Sequence, residues 1–108
     1  KEHSTVEMAQ KDIDKFIKMG CPPEKLNLGV PFYGRHIENR KALSFNRMFL
    51  KDRTIDLFEG YYLNNTVTLK KKAELVKSLK LSGIMIWEIE QDDYELTLLK
   101  ALHSSLQE

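Results

Sequence analysis

The chain has 108 residues, 42% of them hydrophobic and 31% charged, with a formal net charge of +1. That length suits a modest core, and 17 basic against 16 acidic side chains, scattered among one another, exclude the clustered positive charge of a nucleic-acid or anionic-membrane surface. Cys21 is the single cysteine, which rules out an internal disulfide and a paired-cysteine zinc site, and no apolar run reaches the ~18 residues of a membrane span.

The first predicted element is a helix. Ser4 can cap it, with Glu7 three residues later completing a capping box. Val6, Ala9, Ile13, Phe16 and Ile17 recur at helical spacing as one apolar stripe. Gly20 supplies a left-handed C-terminal cap, and Pro22 and Pro23 forbid continuation. The chain opens at Lys1 directly before this helix, with neither signal peptide nor initiator methionine, so a piece of a longer polypeptide is expected. Cys21 has no histidine near it in sequence and reads as a small turn residue.

Lys25 to Tyr33 is a short apolar run bounded by turn residues and predicts a buried strand, with Pro31 marking its C-terminal end. From Gly34 to Lys41 the chain is polar and irregular. Ser44 can cap a short helix through Phe45, Met48, Phe49 and Leu50, and Gly60 to Leu63 is a weak strand candidate closed by a turn at Asn64-Asn65. Residues 36–67 therefore form a short excursion, with room only for a short helix and a hairpin-like turn. A second helix is predicted from about Thr68 to Lys80. Leu69, Ala73, Val76 and Leu79 share one face, and Lys70, Lys71, Lys72 and Glu74 cover the solvated one. Gly83 to Ile89 is nearly continuous in apolar residues, as expected for a parallel strand covered on both faces. A final helix from about Tyr94 to Ser105 buries Leu98, Leu99, Ala101 and Leu102.

Alternating helices and strands imply an α/β fold with parallel strands and helical crossovers. Two strong strands are too few to bury both faces of such a sheet, so the chain either self-associates or takes the rest of its sheet from another segment. In an α/β barrel, sites lie at the C-terminal ends of the strands. That rule selects Phe32, Tyr33 and Arg35 after the first strand, and Trp87, Glu88, Glu90, Gln91, Asp92 and Asp93 at the second. Aromatic rings beside hydrogen-bonding groups suit a carbohydrate, because a pyranose C–H face stacks on a ring while polar neighbours read its hydroxyls.

The run from Lys25 to Arg35 resembles the "KLxLGxPFYGR" strand of family 18 glycoside hydrolases, and Leu81 to Asp93 resembles that family's last barrel strand, "LGGxMxWxxxQDD". Cys21 to Lys25 is similar to the "G-x-P-x-x-K-L" lead-in. The matches stand in order and span nearly the whole chain. The resemblance implies a fragment of a (β/α)8 TIM barrel, residues 1–108 supplying strands seven and eight with flanking helices. It also implies a parent that cleaves β-1,4-linked N-acetylglucosamine polymers, as chitinases and endo-β-N-acetylglucosaminidases do, by a substrate-assisted retaining mechanism.

By that resemblance Trp87 forms the floor of the subsite holding the sugar to be cleaved, and Tyr33 and Arg35 line the cleft beside it. Asp92 and Asp93 match a pair that caps the last helix or orders its loop, which suits carboxylates at a helix N-terminus. Glu88 and Glu90, two apart on a strand, would share a face ~7 Å apart. A catalytic pair must instead flank the scissile bond from opposite sides, so an exposed or paired role is expected. The family's catalytic glutamate closes a D-x-x-D-x-D-x-E signature, and no glutamate here follows that spacing; Asp12 and Asp14 lie mid-helix. The M-x-Y-D element is absent too. No catalytic residue is therefore expected in the fragment, which alone should be inactive.

The resemblance further implies a compact, shallow-cleft branch of the family, a secreted, periplasmic or cell-surface parent, and an N-acetylglucosamine oligosaccharide or polysaccharide as partner together with the remainder of the barrel. His3, His36 and His103 lack metal-ligand spacing, so neither metal nor cofactor is expected; His36 follows Arg35, where it could reach a cleft edge. Two other readings stand beside this one: a non-catalytic carbohydrate-binding protein of the same fold, and an independent small α/β interaction domain.

Overall fold

The computed structural model describes residues 4–48, 52 and 54–107. The first helix, α1, spans Val6–Lys18. Its cap falls one residue later than the sequence suggests. Thr5 Oγ1 accepts the Met8 N–H at 3.1 Å, and Met8 rather than Glu7 occupies the reciprocal position. Ser4 is displaced from capping because its backbone adopts φ +52° and its oxygens turn to another partner, described below. Ala9 and Ile13 are buried, but Phe16 stands half-exposed at the end of the stripe. Gly20 follows with φ +101°, the left-handed geometry that ends the helix before Pro22.

β1 (Asn27–Pro31) and β6 (Gly83–Trp87) form a parallel pair with Asn27 opposite Gly83 and Pro31 opposite Trp87. The strand does break at Pro31, which lacks an N–H to donate. α2 (Thr66–Ser78) and α3 (Thr97–Gln107) pack against each other, and α2 also meets α1. The core lies between these helices and one face of the strand pair. Leu28, Val30, Phe32, Leu63, Leu69, Ala73, Val76, Leu98 and Leu102 are buried there, with Ile84 and Ile86 packed against them. The opposite face is bare: Met85 and Trp87 are each 59% exposed. The expected covering of β6 on both faces is thus half met among the described residues.

The excursion holds more order than its polar sequence suggests. β2 (Tyr33–His36), β3 (Ala42–Ser44), β4 (Leu57–Phe58) and β5 (Tyr61–Tyr62) make a small antiparallel sheet in the order β3-β2-β5-β4. Gly34–His36, expected to be irregular, thus belongs to a central strand, whereas residues 37–41 form the irregular turn that follows it. In place of the short helix, Phe45–Arg47 forms one 3-10 turn; Phe49 and Leu50 fall outside the described residues. The sheet turns on two glycines. At Gly34 a Cβ would meet Tyr61 Cβ and Tyr62 O at 3.2 Å. Gly60 has φ +86° and a Cβ there would stand 2.4 Å from His36 Nε2. The Gly60→Ala variant is expected to lose about 2–3 kcal/mol of stability, from a forbidden φ and a ring clash together, read by equilibrium denaturation. A loss under 0.5 kcal/mol would mean that the turn relaxes freely.

Two boundaries shift for a shared reason. α2 begins at Thr66 because Asn65, buried, accepts the Thr68 N–H at 2.8 Å as N-cap. α3 begins at Thr97, three residues after Tyr94, because Asp92 and Asp93 take its first N–H groups and spend residues 92–96 on the cap. In both cases a side-chain oxygen, not the start of the apolar stripe, sets the helix start.

Candidate sugar-binding site

Phe32 carries the chain from β1 into β2, and its N–H donates to the Trp87 carbonyl at 2.7 Å. This bond continues the parallel ladder by one rung and sets the start of β2 beside the end of β6. Tyr33, Met85 and Trp87 consequently line one open pocket, with Gly29, Pro31 and Ser4 completing it. The pocket lies at the C-terminal ends of the two parallel strands. Gly29 matters because it adds no side chain opposite Met85, leaving room over the sheet. The peptide bond between Trp87 and Glu88 is cis. An exposed indole, a half-buried phenol and a thioether form a surface that one apolar sugar face can cover.

Arg35 reaches less far. Its Nη1 donates to the Arg40 carbonyl at 2.7 Å, and its guanidinium stands 5.5 Å from the centre of the Tyr33 ring. It braces the β2–β3 turn and stacks on the phenol, so its place is behind Tyr33. His36 is likewise engaged in the small sheet. Nδ1 accepts the N–H groups of Glu38 and Asn39, and the ring meets Tyr61 edge-on at 5.1 Å.

The carboxylates after β6 separate by role. Glu88 and Glu90 are both exposed, and they do not share a strand face, because β6 ends at Trp87 and Ile89–Gln91 is a 3-10 turn. Asp92 is 5% exposed and accepts from the N–H groups of Asp93, Leu98 and Leu99. Asp93 accepts from Thr97 N and Oγ1. Both serve α3. Tyr94, next in sequence, is fully exposed.

The strand-end rule points to Gln91 but not to its partners in the small sheet. Gln91 accepts the Glu88 N–H at 3.1 Å and donates to Ser44 Oγ at 3.2 Å, while Asn46 donates to the Glu90 carbonyl at 3.0 Å. These bonds tie the loop after Trp87 to the small sheet. No periodic pattern signals them, since they join one 3-10 turn to the end of a three-residue strand and to a second 3-10 turn. Lys72, expected on the solvated face of α2, has no exposed surface. The spacing Asn65, Leu69, Lys72, Val76 carries that signal: steps of four, three and four put Lys72 on the buried face.

A parallel strand pair with helices packed on one face is part of an α/β architecture of the kind a barrel repeats around its axis. Residues 2–92 match the profile of glycosyl hydrolases family 18, and the chain belongs to that family. The GH18 chitinase ChiB of Flavobacterium johnsoniae superposes over 98% of this chain and 36% of its own, with 32% identity and a TM-score of 0.86. Human YKL-39, described as a pseudo-chitinase with retained chitooligosaccharide binding, shares the fold over 93% of this chain and 40% of its own at 21% identity and a TM-score of 0.75. Putative chitinase 1 of Margaritifera margaritifera is 22% identical over 112 residues, 73% of this chain and 24% of that protein. The chain thus spans well under half the length of each. Among the described residues, no helix is long and apolar enough to cross a membrane.

Proposed function

We propose that these residues supply strands seven and eight of a family 18 barrel whose whole cleaves β-1,4-linked N-acetylglucosamine polymers, and that Trp87 and Tyr33 hold the sugar at the bond to be broken. The observation that carries this reading is the shared pocket of Trp87 and Tyr33 at the C-terminal ends of parallel β1 and β6. Arg35 contributes by holding the Tyr33 ring, and the small sheet β2–β5 forms the cleft rim.

In the mechanism that family membership suggests, a glutamic acid protonates the leaving oxygen while the substrate's own N-acetyl carbonyl attacks the anomeric carbon. The present residues supply neither acid nor nucleophile. Their part is positional: a sugar stacked on the indole has its reacting carbon fixed relative to the strands, which converts binding energy into orientation. On this reading the chain alone binds without cleaving, and the acid comes from strand four. The remaining barrel would cover the sheet face around Met85 and the groove of Met8, Phe16, Leu26 and Leu28 beside β1, leaving the Trp87 ring open to the sugar. Those open apolar surfaces also argue against a self-sufficient interaction domain. A secreted or cell-surface setting accords with a polymeric substrate.

The test is calorimetric titration with a chitotetraose, comparing wild type with Trp87→Ala. Affinity is expected to fall at least tenfold, ~1.4 kcal/mol; an unchanged Kd would remove Trp87 from the site. A second reading, binding without catalysis in the parent as well, is favoured by the likeness to the pseudo-chitinase YKL-39. Hydrolysis of the same oligosaccharide by the complete barrel separates the two.

A further inference from the structure

Lys72 is fully enclosed on α2 and donates its three ammonium hydrogens to three oxygens: the Ser4 carbonyl at 2.6 Å, Ser4 Oγ at 2.8 Å, and Asn64 Oδ1. Asn64, itself buried, donates through Nδ2 to the same Ser4 carbonyl at 3.1 Å. Among the described residues no carboxylate joins them. An ammonium enclosed without a counter-charge is costly, and an apolar side chain of similar length would pack there at lower cost. The residue it grips explains what the cost secures. Ser4 stands 68 positions away in sequence, has φ +52°, a conformation that L-residues rarely adopt unaided, and lines the pocket with Tyr33 and Trp87.

We propose that Lys72 and Asn64 form a clip that sets Ser4 in place as one wall of the Trp87–Tyr33 pocket, making Lys72 a positioning residue for whatever that pocket holds. The geometry is specific: the Lys72 ammonium and the Asn64 amide converge on one carbonyl, and the ammonium also holds the Oγ of the same serine. Neither group touches the pocket itself, so Lys72 acts through Ser4. The clip rests on these hydrogen bonds alone, whereas its consequence for N-acetylglucosamine oligosaccharides rests on the function proposed above.

Trp87 is the only tryptophan, so 5-fluorotryptophan labelling gives a single 19F resonance inside the pocket. Lys72→Met keeps the aliphatic stem and removes the donors. Leu102→Ala, a buried residue of α3, serves as a destabilised control on a helix that makes none of the clip's hydrogen bonds. The 19F resonance is expected to move in Lys72→Met and to stay in Leu102→Ala, with chitotetraose affinity at least fivefold weaker in the first only. Should Lys72→Met not fold, Ser4→Gly tolerates the positive φ, cuts the Oγ contact and carries the same two readouts, with about a twofold loss expected. An unmoved resonance with unchanged affinity in either folded variant overturns the clip. A resonance that moves while wild type binds no sugar sustains the clip and overturns the sugar reading instead.

Discussion

Replacing Asp92 by alanine is expected to cost about 3 kcal/mol of folding free energy. Its carboxylate accepts Asp93 N at 2.8 Å and Leu98 N at 3.1 Å through Oδ1, and Leu99 N at 2.9 Å through Oδ2. Removing it strands these N–H groups at a buried helix start, where hydrogen bonds to a charged acceptor are each worth about 1.5–3 kcal/mol before relaxation. The helix dipole adds to the loss. Asp92→Asn keeps one oxygen and should cost about half as much. Urea titrations with an unchanged m-value measure both. If alanine and wild type agree within 0.5 kcal/mol, water must replace the carboxylate at no cost.

The second large effect concerns pH. Burial lowers the Lys72 amine from 10.5 to about 8. Between those values the unfolded chain binds a proton that the folded chain has shed, so stability rises with pH across that window. The contribution is fully present above the unfolded value and is lost as pH falls through about 8. At 1.36 kcal/mol per pH unit, the stability of wild type relative to Lys72→Met is expected to rise by up to about 3 kcal/mol from pH 7 to pH 10.5. Parallel pH profiles for the two proteins would show that the amine stays protonated in its nest of oxygens.

The strand pair was legible in the sequence because the apolar runs ending at Pro31 and Trp87 are short, bounded, and separated by a crossover helix. Parallel pairing follows from that order alone. The small sheet was not legible, since β2 carries its burial through Gly34 and through side chains that pair locally, as in Arg35 with Arg40 and His36 with Asn39. Two-residue strands such as β4 and β5 leave no period to detect. The lysine triplet misled for a different reason. Charge type outweighed angular position, although the helical spacing of Lys72 already pointed inward. For the pocket, the tyrosine and tryptophan were legible from their place at strand ends, while Ser4 was not, because a wall built by a distant turn leaves no trace in local pattern.

The bonds from Gln91 to Ser44 and from Asn46 to Glu90 fasten the small sheet to the loop that follows the indole. Floor and rim are therefore one mechanical unit: a change near residues 42–46 re-aims the stacking surface without any substitution in β6. Under the function proposed above, variation in that short stretch would be a route to new glycan preferences while the strands beneath it stay untouched.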